Sequence, residues 1–279
     1  MAVLLALLSA GAYGTGDFAA GLAARRYASG AVTLSSQICG LIAACIALLF
    51  FSGTGPAAAP LLWGTLSGVG SAIGTFSLYH GLSVGRMSVV ATLSAVLTAV
   101  IPVLVGLGLG NHLSVPAAVG IVVAVPAIAL VSWQPEHQRS GTEAAGALYG
   151  GVAGLGFALL LIALDKAGTR SGAWPLVPGQ AVSVVLLLPV AIRGIAGHGR
   201  PGRSAVQLAL GAGVLTGAGN LLYLAATGHG QLAVVAVLTS LYPAMTVVLA
   251  RIFLDEHWTR RQAAGLLSAA LAVVLVSLR

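Results

Sequence analysis

Residues 85–114 read GRMSVVATLSAVLTAVIPVLVGLGLGNHLS, and residues 230–259 read GQLAVVAVLTSLYPAMTVVLARIFLDEHWT. Laid over each other without gaps, they share 10 identities in 30 positions, among them Val90/Val235, Ala91/Ala236, Leu93/Leu238 and His112/His257. Apolar sequence dominated by Ala, Val, Leu and Gly matches itself at about 15% by chance. The match runs outward: Gly120 falls on Gly265 and Ser132 on Ser277. With a short adjustment of register, Gln37 falls on Gln180. The chain is therefore read as two related halves, residues 1–134 and 142–279.

Composition says where those halves reside. Of 279 residues, 58% are hydrophobic and only 7% are charged. Soluble domains carry about a quarter charged residues. The mean hydropathy is +1.01. A water-exposed surface cannot be covered with so few charges, which excludes a soluble enzyme, a nucleic-acid-binding domain and a disordered chain. The net charge of +7 comes from basic residues at the ends of apolar runs, where they act as orientation signals. Cys39 and Cys45 lie six apart in one apolar run, on different faces of a helix, so neither a disulfide nor a metal site is implied.

Crossing ~30 Å of hydrocarbon takes ~20 apolar residues as a helix. Ten such runs fit: 2–23, 31–52, 61–82, 87–109, 114–133, 144–165, 174–194, 206–227, 231–253 and 260–278. The first is read as a membrane helix, since it lacks the basic start of a signal peptide. The fold class is an all-α integral membrane protein. Five spans per half is an odd number, so the second half enters from the opposite side and the repeats are inverted. That arrangement is common in secondary transporters, with a midplane site between the halves. The 38 glycines fit close helix packing, as in Gly64-x3-Gly68, Gly70-x3-Gly74 and Gly213-x3-Gly217.

The run Leu254-Asp255-Glu256-His257-Trp258-Thr259, followed by Gly265 and an apolar tail to Ser277, resembles the end of an EamA-type repeat. Pro243 ahead of it and the opening Tyr13-Gly14-Thr15-Gly16-Asp17-Phe18 resemble other parts of that family, which belongs to the drug/metabolite transporter superfamily. The first half departs from the pattern, with Gly110-Asn111-His112 where the second has Asp255-Glu256-His257. The resemblance implies a ten-helix carrier of small organic solutes, such as amino acids, other metabolites or toxic compounds, more often an exporter. It also implies a central cavity lined by spans one, three, four, six, eight and nine.

Polar groups at membrane depth are the candidate site. Asp17 lies near the middle of span one, where a carboxylate costs ~2.5–3.5 kcal/mol to insert. Such residues face a bundle interior and mark substrate or proton pathways, so Asp17 is the candidate for proton coupling. Tyr13, Tyr79, Tyr223 and Tyr242 suit an amphipathic solute, each joining an aromatic body to a hydroxyl. His80, beside Tyr79, can shuttle a proton. Asn220 and Tyr223 are three apart, on one face of span eight. Gln37 and Gln180 form a symmetric pair, and Pro102 and Pro243 should interrupt spans four and nine.

No paired-His zinc motif, Walker A loop or Gly-x-Ser-x-Gly elbow occurs, so neither an enzyme nor an ATP-driven pump is expected. The expected partners are a small-molecule solute and membrane lipids, with no nucleic acid, cofactor or metal, and with the chain acting as a monomer in the cytoplasmic membrane. A passive channel or facilitator is the alternative, and a membrane-embedded enzyme a distant third. Lys166, Arg170 and Arg279 fall at one set of span ends and the other basic residues of the 13 at the opposite set. The positive-inside rule then puts both termini outside. The family resemblance puts them in the cytoplasm.

Overall fold

The computed structural model describes residues 1–24, 27–84, 87–132, 143–195, 202–254 and 259–277. Asp255, Glu256, His257, Trp258 and Trp133 lie outside these. The chain is helical throughout its spans because hydrocarbon offers no partner for backbone N–H and C=O groups, and a helix satisfies them internally. The first half comprises α1 (Ala2–Ala24), α2 (Ser29–Leu48), α3 (Ala58–Val84), α4 (Met87–Gly108) and α5 (Val115–Val131). The second comprises α6 (Glu143–Ala167), α7 (Leu176–Ile195), α8 (Arg203–Thr227), α9 (Leu232–Thr239), α10 (Tyr242–Leu254) and α11 (Arg260–Ser277). Among the described residues, nine spans meet the length and hydropathy of a membrane crossing, with α9 and α10 together making one of them. α5 is the tenth apolar helix, at 17 residues. Its rise is about 25 Å. The chain is a multi-pass membrane protein.

The halves interlock rather than sit side by side. α3 packs on α6, α1 on α8, and α5 on α11. Each of these pairs is antiparallel. Along α3, Gly70, Gly74 and Gly81 meet Leu160, Phe157 and Tyr149 in descending order of α6. The small-residue motifs lie in these seams. A Cβ built on Gly70 would come within 2.6 Å of the Gly156 carbonyl, and one on Gly213 within 2.6 Å of Cys39 Cβ on α2. Gly64 and Gly68 abut the backbone of Pro175 and Gly179. Bulkier residues would force these backbones apart and lose the close contacts that hold membrane helices together.

Successive spans alternate in direction, so the bundle has two ends. Arg193, Arg203, Arg251, Arg260 and Arg261 sit at one, the basic end; the N-terminus, Lys166 and Arg170 sit at the other. At this second end two loops are pinned together. Thr54 N donates to Arg170 O at 2.8 Å, and Ala173 N donates to Phe51 O at 2.7 Å. Gly53 (φ 56°) and Gly172 (φ 57°) sit back to back in this latch, in the left-handed region that excludes most side chains.

The proline expectation divides. Span nine breaks between α9 and α10 at Ser240 and Leu241, just before Pro243. α4 runs unbroken through Pro102. The residue in α4 that corresponds to Pro243 is Thr98, which keeps its N–H and donates its hydroxyl to Ser94 O at 2.8 Å. Pro243 has no N–H to offer the carbonyl of Thr239, so the same helix in the second half parts there.

Candidate functional site

A cavity of about 790 Å³ of atom-free space, counting its open mouth, occupies the middle of the bundle. Both halves line it. α1 supplies Tyr13, Asp17 and Ala20, whose spacing puts them on one helical face. α3 supplies Ser71, Thr75, Leu78 and Tyr79 on a second such face. The break in span nine brings in Thr239, Ser240 and Tyr242. Phe157, Leu160 and Leu161 of α6 make an apolar wall. On α1, α2 and α3 the lining runs from mid-helix toward the basic end. The other end is packed solid: in α9, Leu232, Ala233 and Val235 through Thr239 are all buried, against Ala6, Leu164 and Tyr223.

Asp17 is half-buried and faces this space with no hydrogen-bond or ion-pair partner among the described residues. Tyr13, Tyr79 and Tyr242 lie close enough to feel its charge. The Tyr13 hydroxyl donates to Asn220 Oδ1 at 2.5 Å. Gln37 on α2 donates from Nε2 to Ser71 Oγ at 3.2 Å, tying two lining helices together. No Lys, Arg or His contributes to the described lining.

Of the residues singled out in the sequence, Tyr13, Asp17, Tyr79 and Tyr242 meet at the cavity. Gln37 joins them, and Asn220, Tyr223, His80 and Gln180 are not in the lining. Asn220 is buried behind Tyr13 as its acceptor. Tyr223 is fully buried and donates to Leu161 O at 3.0 Å. His80 stacks on Phe76 at 5.5 Å and meets the edge of Tyr149 at 4.8 Å, off the lining. Gln37 lines the cavity, whereas Gln180 lies against Gly40 of α2. The expected lining helices are present, and α2 joins them through Thr33, Ser36 and Gln37. Nothing in the sequence singled out Thr33, Ser36, Thr75 or Thr216, because a membrane Ser or Thr commonly bonds its own helix. Among the described residues, no group of three or more His, Cys, Asp or Glu is placed to hold a metal.

Residues 144–278 match the EamA-like transporter family. One solved crystal structure has the same fold, with a TM-score of 0.78 over 99% of this chain and 96% of its own, at 14% sequence identity. No curated protein sequence matches the chain.

Proposed function

We propose that this chain, placed by residues 144–278 in the EamA-like transporter family and hence among the membrane transporters of the drug/metabolite transporter superfamily, is a secondary carrier of small organic solutes. The observation that carries the proposal is one central cavity shared by both halves and packed shut at one end. A solute would enter from the basic end, and the two inverted five-helix halves would rock about it to open the other. A permanently open pore is disfavoured by the solid packing of α9 across the path. Export through the cytoplasmic membrane is the direction the family resemblance favours.

Asp17 is the group to which we assign proton coupling. It is the one carboxylate in the described lining and has no competing partner there. The test is counterflow of labelled solutes in proteoliposomes with and without an imposed pH gradient. Saturable counterflow that follows the gradient in the native protein, and loses that dependence in Asp17→Asn, is the expected result. Unchanged gradient dependence in Asp17→Asn would remove the coupling role. Non-saturable equilibration of solute would replace the carrier with a passive facilitator.

A further inference from the structure

The hydrogen-bonding sense of the cavity narrows what it can hold. Tyr13 has given its hydroxyl proton to Asn220. Ser36 donates to Val32 O and Ala209 O, at 3.0 and 3.1 Å. Thr75 donates to Ser71 O at 2.7 Å and Thr98 to Ser94 O at 2.8 Å. A hydroxyl has one proton, so these oxygens have only lone pairs left to present. At these four positions the wall presents acceptors only. The donors that remain, the hydroxyls of Ser71, Thr216, Tyr79, Tyr242 and Ser240 and the second amide proton of Gln37 among them, are all neutral. To these acceptors the cavity adds one carboxylate, Asp17, and three tyrosine rings around it.

We infer that this cavity selects organic monocations bearing N–H donors on an apolar body, primary or secondary ammonium compounds above all, and rejects carboxylates, including the zwitterions of amino acids. The inference rests on the carrier reading above and names its substrate class. An ammonium would find Asp17 for its charge, the spent hydroxyls for its protons and tyrosine faces for the cation–π attraction. Its apolar body would lie on Phe157, Leu160 and Leu161. A carboxylate would enter the same space with no cation in the described lining to compensate it, and an uncompensated charge away from water is strongly penalised. This narrows the amino acids expected from the family resemblance to their decarboxylated counterparts.

Three probes share one apolar body and differ in charge: phenethylamine, phenylalanine and 3-phenylpropionate. Binding is read as thermal stabilisation of the purified full chain in detergent, and transport as counterflow in proteoliposomes. Phenethylamine should stabilise the protein and show saturable counterflow. Loss of a charge-assisted hydrogen bond should weaken its binding roughly 10- to 100-fold in Asp17→Asn. Asp17→Glu, which keeps the charge, should retain part of it, and this separates lost charge from lost folding. Binding of phenylalanine or phenylpropionate as tight as that of phenethylamine would overturn the inference, as would binding of none of the three. Asp17-dependent binding of phenethylamine without counterflow would uphold the selectivity and remove the carrier reading instead.

Discussion

The seam between α1 and α10 sets the distance from Asp17 to Tyr242, and two glycines of α1 allow a matched test of it. Alanine at either position gains about 0.8–1 kcal/mol of helix propensity. At Gly11 nothing lies within 4 Å of an added Cβ, so the gain stands alone. At Gly14 the same Cβ would come within 2.7 Å of Met245 Cβ and 3.3 Å of Thr246 N, and closer still to the carbonyl of Tyr242. Two of these neighbours are backbone and cannot swing aside. The helices must part, and with them the bond from Thr246 Oγ1 to Gly14 O at 3.0 Å. Overpacking of this kind costs about 1–3 kcal/mol. The propensity gain is common to both and cancels, so Gly11→Ala and Gly14→Ala should differ by the overpacking cost, about 1–3 kcal/mol, in denaturant unfolding of the purified protein, with Gly14→Ala the less stable. Counterflow should fall in Gly14→Ala alone, since it displaces Tyr13 and Asp17 from Tyr242. Equal stability and equal transport for the two variants would refute the close approach of α1 and α10.

Tyr13→Phe removes the donor to Asn220 and leaves a buried amide oxygen unsatisfied, at a cost of about 1–3 kcal/mol; the double variant with Asn220→Leu should recover part of it, and an unchanged unfolding curve for Tyr13→Phe would discount the bond. Gly172→Ala forces a side chain into left-handed backbone at about 1–2 kcal/mol, so the amides of Thr54 and Ala173 should exchange with deuterium faster than in the native protein; identical rates would mean the latch does not depend on that turn. Ala20→Cys, in a background with Cys39 and Cys45 replaced, should react with an impermeant thiol reagent from the basic-end side only. Labelling in inverted vesicles but not intact cells would place that end in the cytoplasm, the reverse would place the termini there, and equal labelling from both sides would deny a one-ended cavity.

Depth in the membrane was legible from the sequence; rotation about each helix axis was not. Length and hydropathy locate the spans to within a few residues, as for α1, and Pro243 marks the break in span nine. Pro102 did not break α4, because a lone proline in a well-packed apolar helix loses one hydrogen bond without an adjacent weak turn to yield. The helices have no polar stripe that would announce an inward face, so Asn220 and Tyr223 read as cavity residues as readily as Tyr13 and Tyr79. Which of them met open space depended on the seams. Tyr223 is directed at the carbonyl of Leu161 by the packing of α8 against α6, and His80 is held between Phe76 and Tyr149.

If the two halves are inverted repeats, as proposed, the misplaced tyrosine gains a place in the proposed mechanism. Gln37 and Gln180 align at a spacing of 143 residues, and residues 85–114 align at 145. Between those registers, Tyr79 of α3 falls on Tyr223 of α8. In this structure Tyr79 lines the cavity, while Tyr223 is fully buried in the packed end. If the halves exchange conformations as they rock, the pair exchanges roles. Opening the far end would withdraw Tyr223 from the Leu161 carbonyl and expose it, while Tyr79 would take the buried position. Asp17 has no acidic mate to make the same exchange; the wall opposite it holds Leu160. The carboxylate therefore stays with the first half in both states, and the tyrosines mark which end is open. In that scheme a thiol reagent applied at the end opposite the basic one labels Tyr223→Cys during turnover and leaves it unlabelled at rest. Labelling at rest would mean that Tyr223 is not part of a closed gate.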